Sequence, residues 1–366
     1  MQKPIRWGIL GTGAAARDFA RGLRSVENAA LVAVGSRTAA HARAFGEAFA
    51  VPRSHVGYDE LVADPDVDVV YIATPTAAHC EHCLLALSAG KPVLCEKPFT
   101  TNAAAARTVV AMARSSRLFC MEAMWMRFLP AMERLRTLLA QAAIGDVRVL
   151  YANLGHPTPP ESTRRLVDPG LGGGALLDLG IYPLSLAFYV LGKPDRVVAQ
   201  ATVGPTGADE DSAAILRYSA GKLAVLTASL RGELPGDGLV VGTRGHIRIH
   251  SPLYRPHRLS VHTHPEPVYA GIPAPSTGRG LLARAKASRL LRSAYFRFEG
   301  PVRAILDHSR STVLAPFSGN GYNYEAAEVV RCLRAGETES PVMPLDETVA
   351  IMEVLDQIRA SSAGTE

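Results

Sequence analysis

At 366 residues, 48% hydrophobic and 20% charged, the chain has the composition of a globular protein long enough for two cores, which sets aside disorder and fibrous folds. Its net charge of +5 is local: from Ala274 to Phe317, Arg279, Arg284, Lys286, Arg289, Arg292, Arg297, Arg303 and Arg310 face only Glu299 and Asp307, so the remainder is close to neutral and no nucleic-acid footprint is expected. Five cysteines, few and odd in number, argue against a disulfide framework; with no leader-like start and no uninterrupted apolar run of membrane length, a cytoplasmic protein without a membrane partner is expected.

The first apolar run, Ile5 to Leu10, ends in Gly11-Thr12-Gly13-Ala14-Ala15-Ala16, after which Phe19, Leu23 and Val26 recur at helical spacing. Strand, tight glycine turn and helix in that order let the backbone approach a pyrophosphate, whose charge meets the free N–H groups of the helix start. A second run, Ala30 to Val34, ends at Gly35-Ser36-Arg37-Thr38 with no acid between Glu27 and Glu47. A carboxylate there would accept both ribose hydroxyls of NAD; Ser36, Arg37 and Thr38 suit a phosphate instead, so NADP is expected, with NAD use left open.

The rhythm continues. Val67 to Ala73 precedes Thr74-Pro75, Pro92 to Cys95 precedes Glu96-Lys97-Pro98, and Leu118 to Met121 precedes Glu122, with helical patterns around Cys83-Leu84-Leu87 and Ala105-Val109-Met112 between them. In a doubly wound parallel sheet these strand ends lie on one edge, so Gly11, Arg37, Thr74 and Lys97 are expected to converge. The pair in His79-Cys80-Glu81-His82-Cys83 lacks further zinc-ligand spacing and reads as helix side chains, with His79 near a bound cofactor. No metal site is expected. Further on, Asp146 to Leu154, Ala213 to Tyr218, Leu223 to Leu230 and Leu239 to Ile249 read as strands, Ser219-Ala220-Gly221 as a hairpin turn, and Val349, Ile351, Met352, Leu355 and Ile358 as the face of a helix started by Asp346.

The motifs Gly-Ile-Leu-Gly-Thr-Gly at the start, Ala73-Thr74-Pro75, Glu96-Lys97-Pro98 and Gly172-Gly173-Gly174-Ala-Leu-Leu-Asp178-Leu-Gly180-Ile, in this order, resemble the glucose-fructose oxidoreductase, inositol dehydrogenase and MocA family over nearly the whole chain. Many members carry a histidine four residues after the aspartate, where this chain has Tyr182. That variant, with Met121 to Pro130 and the closing Glu339-Ser340-Pro341-Val342-Met343-Pro344, looks most like the dimeric dihydrodiol dehydrogenase and NADP-dependent D-xylose dehydrogenase branch. The resemblance implies an α/β protein: an N-terminal Rossmann doubly wound parallel sheet over residues 1–122 that binds NADP, then a C-terminal α/β domain over 123–366 with a large, mostly antiparallel open sheet for substrate binding and dimerisation. It implies an NAD(P)-dependent oxidoreductase acting on CH–OH groups of a pyranose sugar or cyclic diol, working as a homodimer or higher homo-oligomer. The competing expectations are an NADPH-dependent ketoreductase of a nucleotide-linked deoxysugar and a silent NADP-binding sensor.

The expected cofactor residues are Gly11, Thr12, Gly13, Ala14, Ala15, Ser36, Arg37, Thr38, Thr74, Pro75, His79, Glu96 and Lys97. The expected catalytic residues are Lys97, Tyr182 and Asp178. Trp125, Arg127, Phe128 and Tyr322 are expected at the substrate, with Asn320 a weaker candidate. Tyr182 can take the hydroxyl proton if it is partly phenolate. A lysine cation about 4 Å from the phenolate, at an effective dielectric of ~20, stabilises it by roughly 4 kcal/mol, which would bring an ordinary pKa of ~10 near ~7. Asp178 is assigned to orienting the substrate hydroxyl or holding Lys97. The stretch from about 265 to 316 is a basic insertion, in which Leu281, Leu282, Leu290, Leu291, Tyr295 and Phe298 recur at roughly helical spacing.

Overall fold

The computed structural model describes residues 3–157, 164–264 and 310–363; most of the basic insertion, including its expected helix, lies outside the described residues. The first third alternates strand and helix: β1 (Ile5–Leu10), α1 (Ala14–Leu23), β2 (Ala29–Ser36), α2 (Ala39–Phe49), β3 (Arg53–Val56), α3 (Asp59–Ala63), β4 (Val69–Ile72), α4 (His79–Ser88), β5 (Val93–Glu96), α5 (Ala103–Ser116) and β6 (Cys120–Ala123). The strands form one all-parallel sheet in the order β3-β2-β1-β4-β5-β6. Strand runs covered on both faces read as continuous apolar segments, which is why β4 and β5 are wholly buried. The edge strand β3 has the sequence Arg-Ser-His-Val with alternating exposure and no apolar run, so it escaped sequence reading. The two cysteines of the His79–Cys83 stretch are side chains of α4.

The chain then runs through α6 (Pro130–Ala140), β7 (Val147–Gly155), α7 (Arg164–Val167), a π turn at Leu176–Gly180 and α8 (Ile181–Leu191). Strands β8 (Arg196–Val203), β9 (Asp209–Arg217), β10 (Leu223–Ser229), β11 (Gly238–Gly242), β12 (Gly245–Ile249), β13 (Arg258–Thr263) and β14 (Arg310–Leu314) follow, then α9 (Tyr322–Ala335) and α10 (Leu345–Ala363). The second sheet has eight strands in the order β14-β13-β12-β11-β7-β10-β9-β8; only β7 and β10 pair in parallel. The hairpin at Ser219–Gly221 joins β9 to β10 as expected. Leu239 to Ile249 is not one strand. The chain reverses at Thr243-Arg244, and β11 and β12 pair antiparallel from Gly238↔Ile249 to Gly242↔Gly245. The apolar alternation runs through both arms of this tight hairpin, so the pattern alone does not show the break.

One face of this sheet is covered by α8 and by α10, whose Ile351, Met352, Leu355 and Ile358 are buried as the periodicity predicts. The tail helix α10 also lies against α5 and β6. Asp356 Oδ2 accepts from the Ala103 N–H at the start of α5 (2.8 Å), which ties the C-terminus to the first sheet. Among the described residues, the other sheet face is left exposed along β7, β8 and β9. There the register aligns Val198, Ile215, Val225, Tyr151 and Leu239 as one apolar row across five strands, with Val198, Ile215 and Tyr151 exposed. The helical stretch Pro169–Leu191 does have the length and hydropathy of a membrane span, which the glycines had hidden; 72% of its apolar window is buried inside the protein, so it is a core helix.

Candidate active site

A cleft of about 950 Å³ lies along the C-terminal edge of the parallel sheet and is closed on its far side by the second sheet and α8. Its floor begins at Gly11, held by its N–H to Gly35 O (2.9 Å) with φ at +105°. A Cβ on Gly11 would fall 2.5 Å from Ala73 O, so both the dihedral and the close strand approach require glycine. Beyond it, α1 starts at Gly13 with no side-chain cap and no acid in its first turn. Its free N–H groups therefore face the cleft and suit a dinucleotide's pyrophosphate.

Ser36, Arg37 and Thr38 line the next part of the cleft with His41 and Tyr58. Thr38 also caps α2, accepting from the His41 N–H (3.4 Å). The acid that shares this end, Asp18, is paired with Arg21 (2.6 Å). Thr74, Pro75 and His79 continue the wall. The buried His79 ring bridges two strand ends, with Nδ1 2.9 Å from Pro98 O and Nε2 2.9 Å from Thr74 O. Burial pushes its pKa down to about 4, so at neutral pH the ring has one N–H and can donate to only one of these carbonyls.

The centre of the cleft holds Lys97, Asp178, Tyr182, Trp125 and Tyr322. Lys97 Nζ donates to Asp178 O (2.9 Å), lies 3.4 Å from Asp178 Oδ1 and stands 4.8 Å from the centre of the Tyr182 ring. Pro183 has no N–H to donate within the turn that joins the π segment to α8, and the Asp178 carbonyl there accepts from Lys97. Pro183 thus sits in a continuing helix, neither beginning nor ending it.

Trp125 Nε1 donates to the Tyr182 hydroxyl oxygen (3.0 Å), and the indole stacks on Tyr322 at 4.8 Å. With one lone pair of Tyr182 occupied by the indole, its own O–H is left to point at a ligand. The pKa expected near 7 is overturned: burial raises Tyr182 above its ordinary value, outweighing Lys97 and the Trp125 hydrogen bond, which lower it. The cation lies over the ring rather than beside the oxygen, and Asp178 and Glu96 oppose it.

Two expected substrate residues are elsewhere. Arg127 is 1% exposed, donates to Ser185 Oγ (2.8 Å) and Ser185 O (2.9 Å), and pairs with Glu347 (2.5 Å). It clamps the Trp125–Phe128 turn to α8. Phe128 is buried beside it and opens toward a different, smaller hollow. Asn320 is structural too, donating to Asp18 O (2.7 Å) against Gly22 of α1. The glycine run does serve close approach, to protein rather than ligand: a Cβ on Gly172 would lie 2.8 Å from Thr76 Cβ.

Sequence reading missed Leu154, His156, Tyr254 and Arg255, which form the wall contributed by the second sheet. The Tyr254 ring is 5.9 Å from Tyr182 and 6.0 Å from Trp125. A lone tyrosine in the loop after β12 carries no motif; only the folding of that loop against α8 brings it here. Behind the cleft, Tyr71 donates to Glu96 Oε1, and the fully buried Glu325 has neither oxygen partnered among the described residues, its pKa pushed well up by burial.

Comparison with known proteins adds to this geometry. Residues 5–124 match the model described as an oxidoreductase family with an NAD-binding Rossmann fold, and residues 132–248 match the GFO/IDH/MocA C-terminal domain. The trans-1,2-dihydrobenzene-1,2-diol dehydrogenase of Mus musculus is 36% identical over 97% of this chain and 96% of its own length; that of Homo sapiens is 35% identical with the same coverage. Among solved structures, an aldose-aldose oxidoreductase from Caulobacter crescentus superposes with a TM-score of 0.80 at 21% identity, covering 100% of this chain and 99% of that one. A 3-ketoreductase from Actinomadura kijaniata, solved with NADP and TDP-benzene, gives 0.79 at 24%, covering 98% of each.

Proposed function

The chain belongs to the GFO/IDH/MocA family of NAD(P)-binding oxidoreductases acting on CH–OH groups, and on that premise we propose that it is an NADP-dependent dehydrogenase of a sugar or cyclic diol. The observation that carries the reading is the meeting of Lys97, Asp178, Tyr182 and Trp125 in the same cleft as the uncapped start of α1. A bound nicotinamide supplies the hydride acceptor or donor. Tyr182 moves the proton of the reacting oxygen, Lys97 stabilises its phenolate, and Asp178 holds Lys97 in place. At neutral pH the resting group is a phenol, the form that gives a proton to a ketone oxygen; oxidation draws on the phenolate and rises with pH. Trp125, Tyr254 and Tyr322 offer flat apolar walls suited to the C–H face of a ring.

The preference for NADP rests on Arg37 beside Ser36 and Thr38, with Asp18 already engaged by Arg21. The division of labour falls near residue 122: the part before it holds the cofactor, the part after it the substrate. Self-association as a homodimer buries the Val198–Leu239 row of the open sheet face, so Ile215→Lys should shift the mass in solution to the monomer. The five unpaired cysteines fit a cytoplasmic location. A second reading, NADPH-dependent reduction of a nucleotide-linked keto-deoxysugar, is favoured by the resting phenol form of Tyr182. The deciding experiment follows the nicotinamide absorbance band with NADP+ and NAD+ against aldoses, cyclic diols and inositols. Turnover with NADP+ is expected; tight NADP binding with no turnover of any of them would remove the dehydrogenase reading.

A further inference from the structure

The cations of the cleft are not equally accounted for. Lys97 is held by Asp178, and Arg37 stands at the end of β2 where the cofactor reading uses it. Arg255 lines the opposite wall, next to Tyr254 and His156, and the cofactor and proton-transfer assignments leave it without a role. Its guanidinium makes no ion pair or hydrogen bond among the described residues; its contact is the face of Phe317, 5.6 Å from the ring centre. The loop that carries it is fixed by Leu253 N–H to Gly236 O (2.8 Å) and Arg255 N–H to Pro252 O (2.9 Å).

A half-buried guanidinium with five donors and no acceptor is an unfinished interaction, and the aromatic face that steadies it satisfies none of those donors. Its planar fork matches the oxygens of a carboxylate or phosphate. The acids nearest the cleft centre are already engaged, Asp178 with Lys97 and Glu96 with Tyr71. We propose that Arg255 is a substrate-specificity residue that receives an anionic group, phosphate or carboxylate, on the end of the substrate remote from the carbon facing Tyr182. This rests on the dehydrogenase reading above and narrows its substrate class from neutral rings to acidic ones.

The test compares kcat/KM with NADP+ for matched ligands, glucose against glucose 6-phosphate and glucuronate, in wild type, Arg255→Met and Arg255→Lys. One charge-assisted bidentate contact predicts a wild-type preference for an anionic ligand of about tenfold or more. Arg255→Met should abolish that ratio through KM, and Arg255→Lys should retain part of it. The phosphate and carboxylate arms separate the two anion sources. An anionic-to-neutral ratio unchanged in Arg255→Met overturns the proposal, as does a loss confined to NADP affinity. If wild type turns over none of the three, the activity reading is judged by the wider panel above, and the anion site by calorimetry of phosphate and of glucuronate binding to the NADP-loaded chain. Binding lost in a folded Arg255→Met protein supports the site; no binding to wild type removes it.

Discussion

Replacing Lys97 by Met removes the cation that stands over the Tyr182 ring, 4.8 Å from its centre. At an effective dielectric of ~20, a unit charge over the ring, about 5.5 Å from the charge that develops on the phenolate, contributes roughly 3 kcal/mol, or about two pKa units. Burial already holds Tyr182 above the ordinary tyrosine value, and without Lys97 the opposing charges of Asp178 and Glu96 act unchecked. Tyr182 should therefore titrate higher still, and the lost stabilisation should lower kcat/KM for oxidation near pH 8 about 100-fold. The common equilibrium constant requires reduction to fall by the same factor. The assay is the profile of kcat/KM from about pH 6 to 10 for wild type, Lys97→Met and Lys97→Arg, with NADP affinity measured alongside. With the phenol above this window in all three proteins, oxidation should rise with pH in parallel, about 100-fold lower for the Met variant and less lowered for the Arg variant. A Met variant close to wild type in kcat/KM, or a loss carried wholly by NADP affinity, would refute the electrostatic role, the latter reassigning Lys97 to ligand positioning.

Three further outcomes are expected. Tyr182→Phe should cost about 10²–10⁴-fold in turnover while NADP binding persists, checked by steady-state kinetics and by titration of protein fluorescence; full activity would end the proton-transfer assignment. Arg127→Met should lower stability by about 3–5 kcal/mol, because Glu347 and Ser185 lose a buried partner, and should leave the substrate KM of the folded fraction unchanged, read by denaturant unfolding and kinetics. Glu122, buried with its pKa raised to about 7, binds its proton more tightly folded than unfolded, so stability falls as pH rises from the unfolded value of 4.5 through about 7. Glu122→Gln should flatten that fall in thermal melts taken across the range.

Where the sequence succeeded, the information was local or carried by backbone rules. The glycine turn after β1, the regular alternation of buried strand and helix, and the lysine and tyrosine inside their motifs are set by residues within a few positions of one another. A parallel sheet then brings its strand ends to one edge whatever the side chains, so Gly11, Arg37, Thr74 and Lys97 could be placed together from order alone. Where it failed, distance through the chain decided. Arg127 and Trp125 are two residues apart in one turn, yet one faces Ser185 and the other Tyr182, a difference set by how α8 packs and invisible in Trp-Met-Arg-Phe. Tyr254 and Arg255 reach the cleft only because the β12–β13 loop folds over α8. The charge state of Tyr182 was misjudged for the same reason. Sequence counts the cation nearby, but the pKa depends on burial and on where the cation sits relative to the oxygen, and both are properties of packing. Lys97 joins the two levels: its place in Glu96-Lys97-Pro98 is written in the chain, but only the packing of α8 against the first sheet brings the Asp178 carbonyl within its reach.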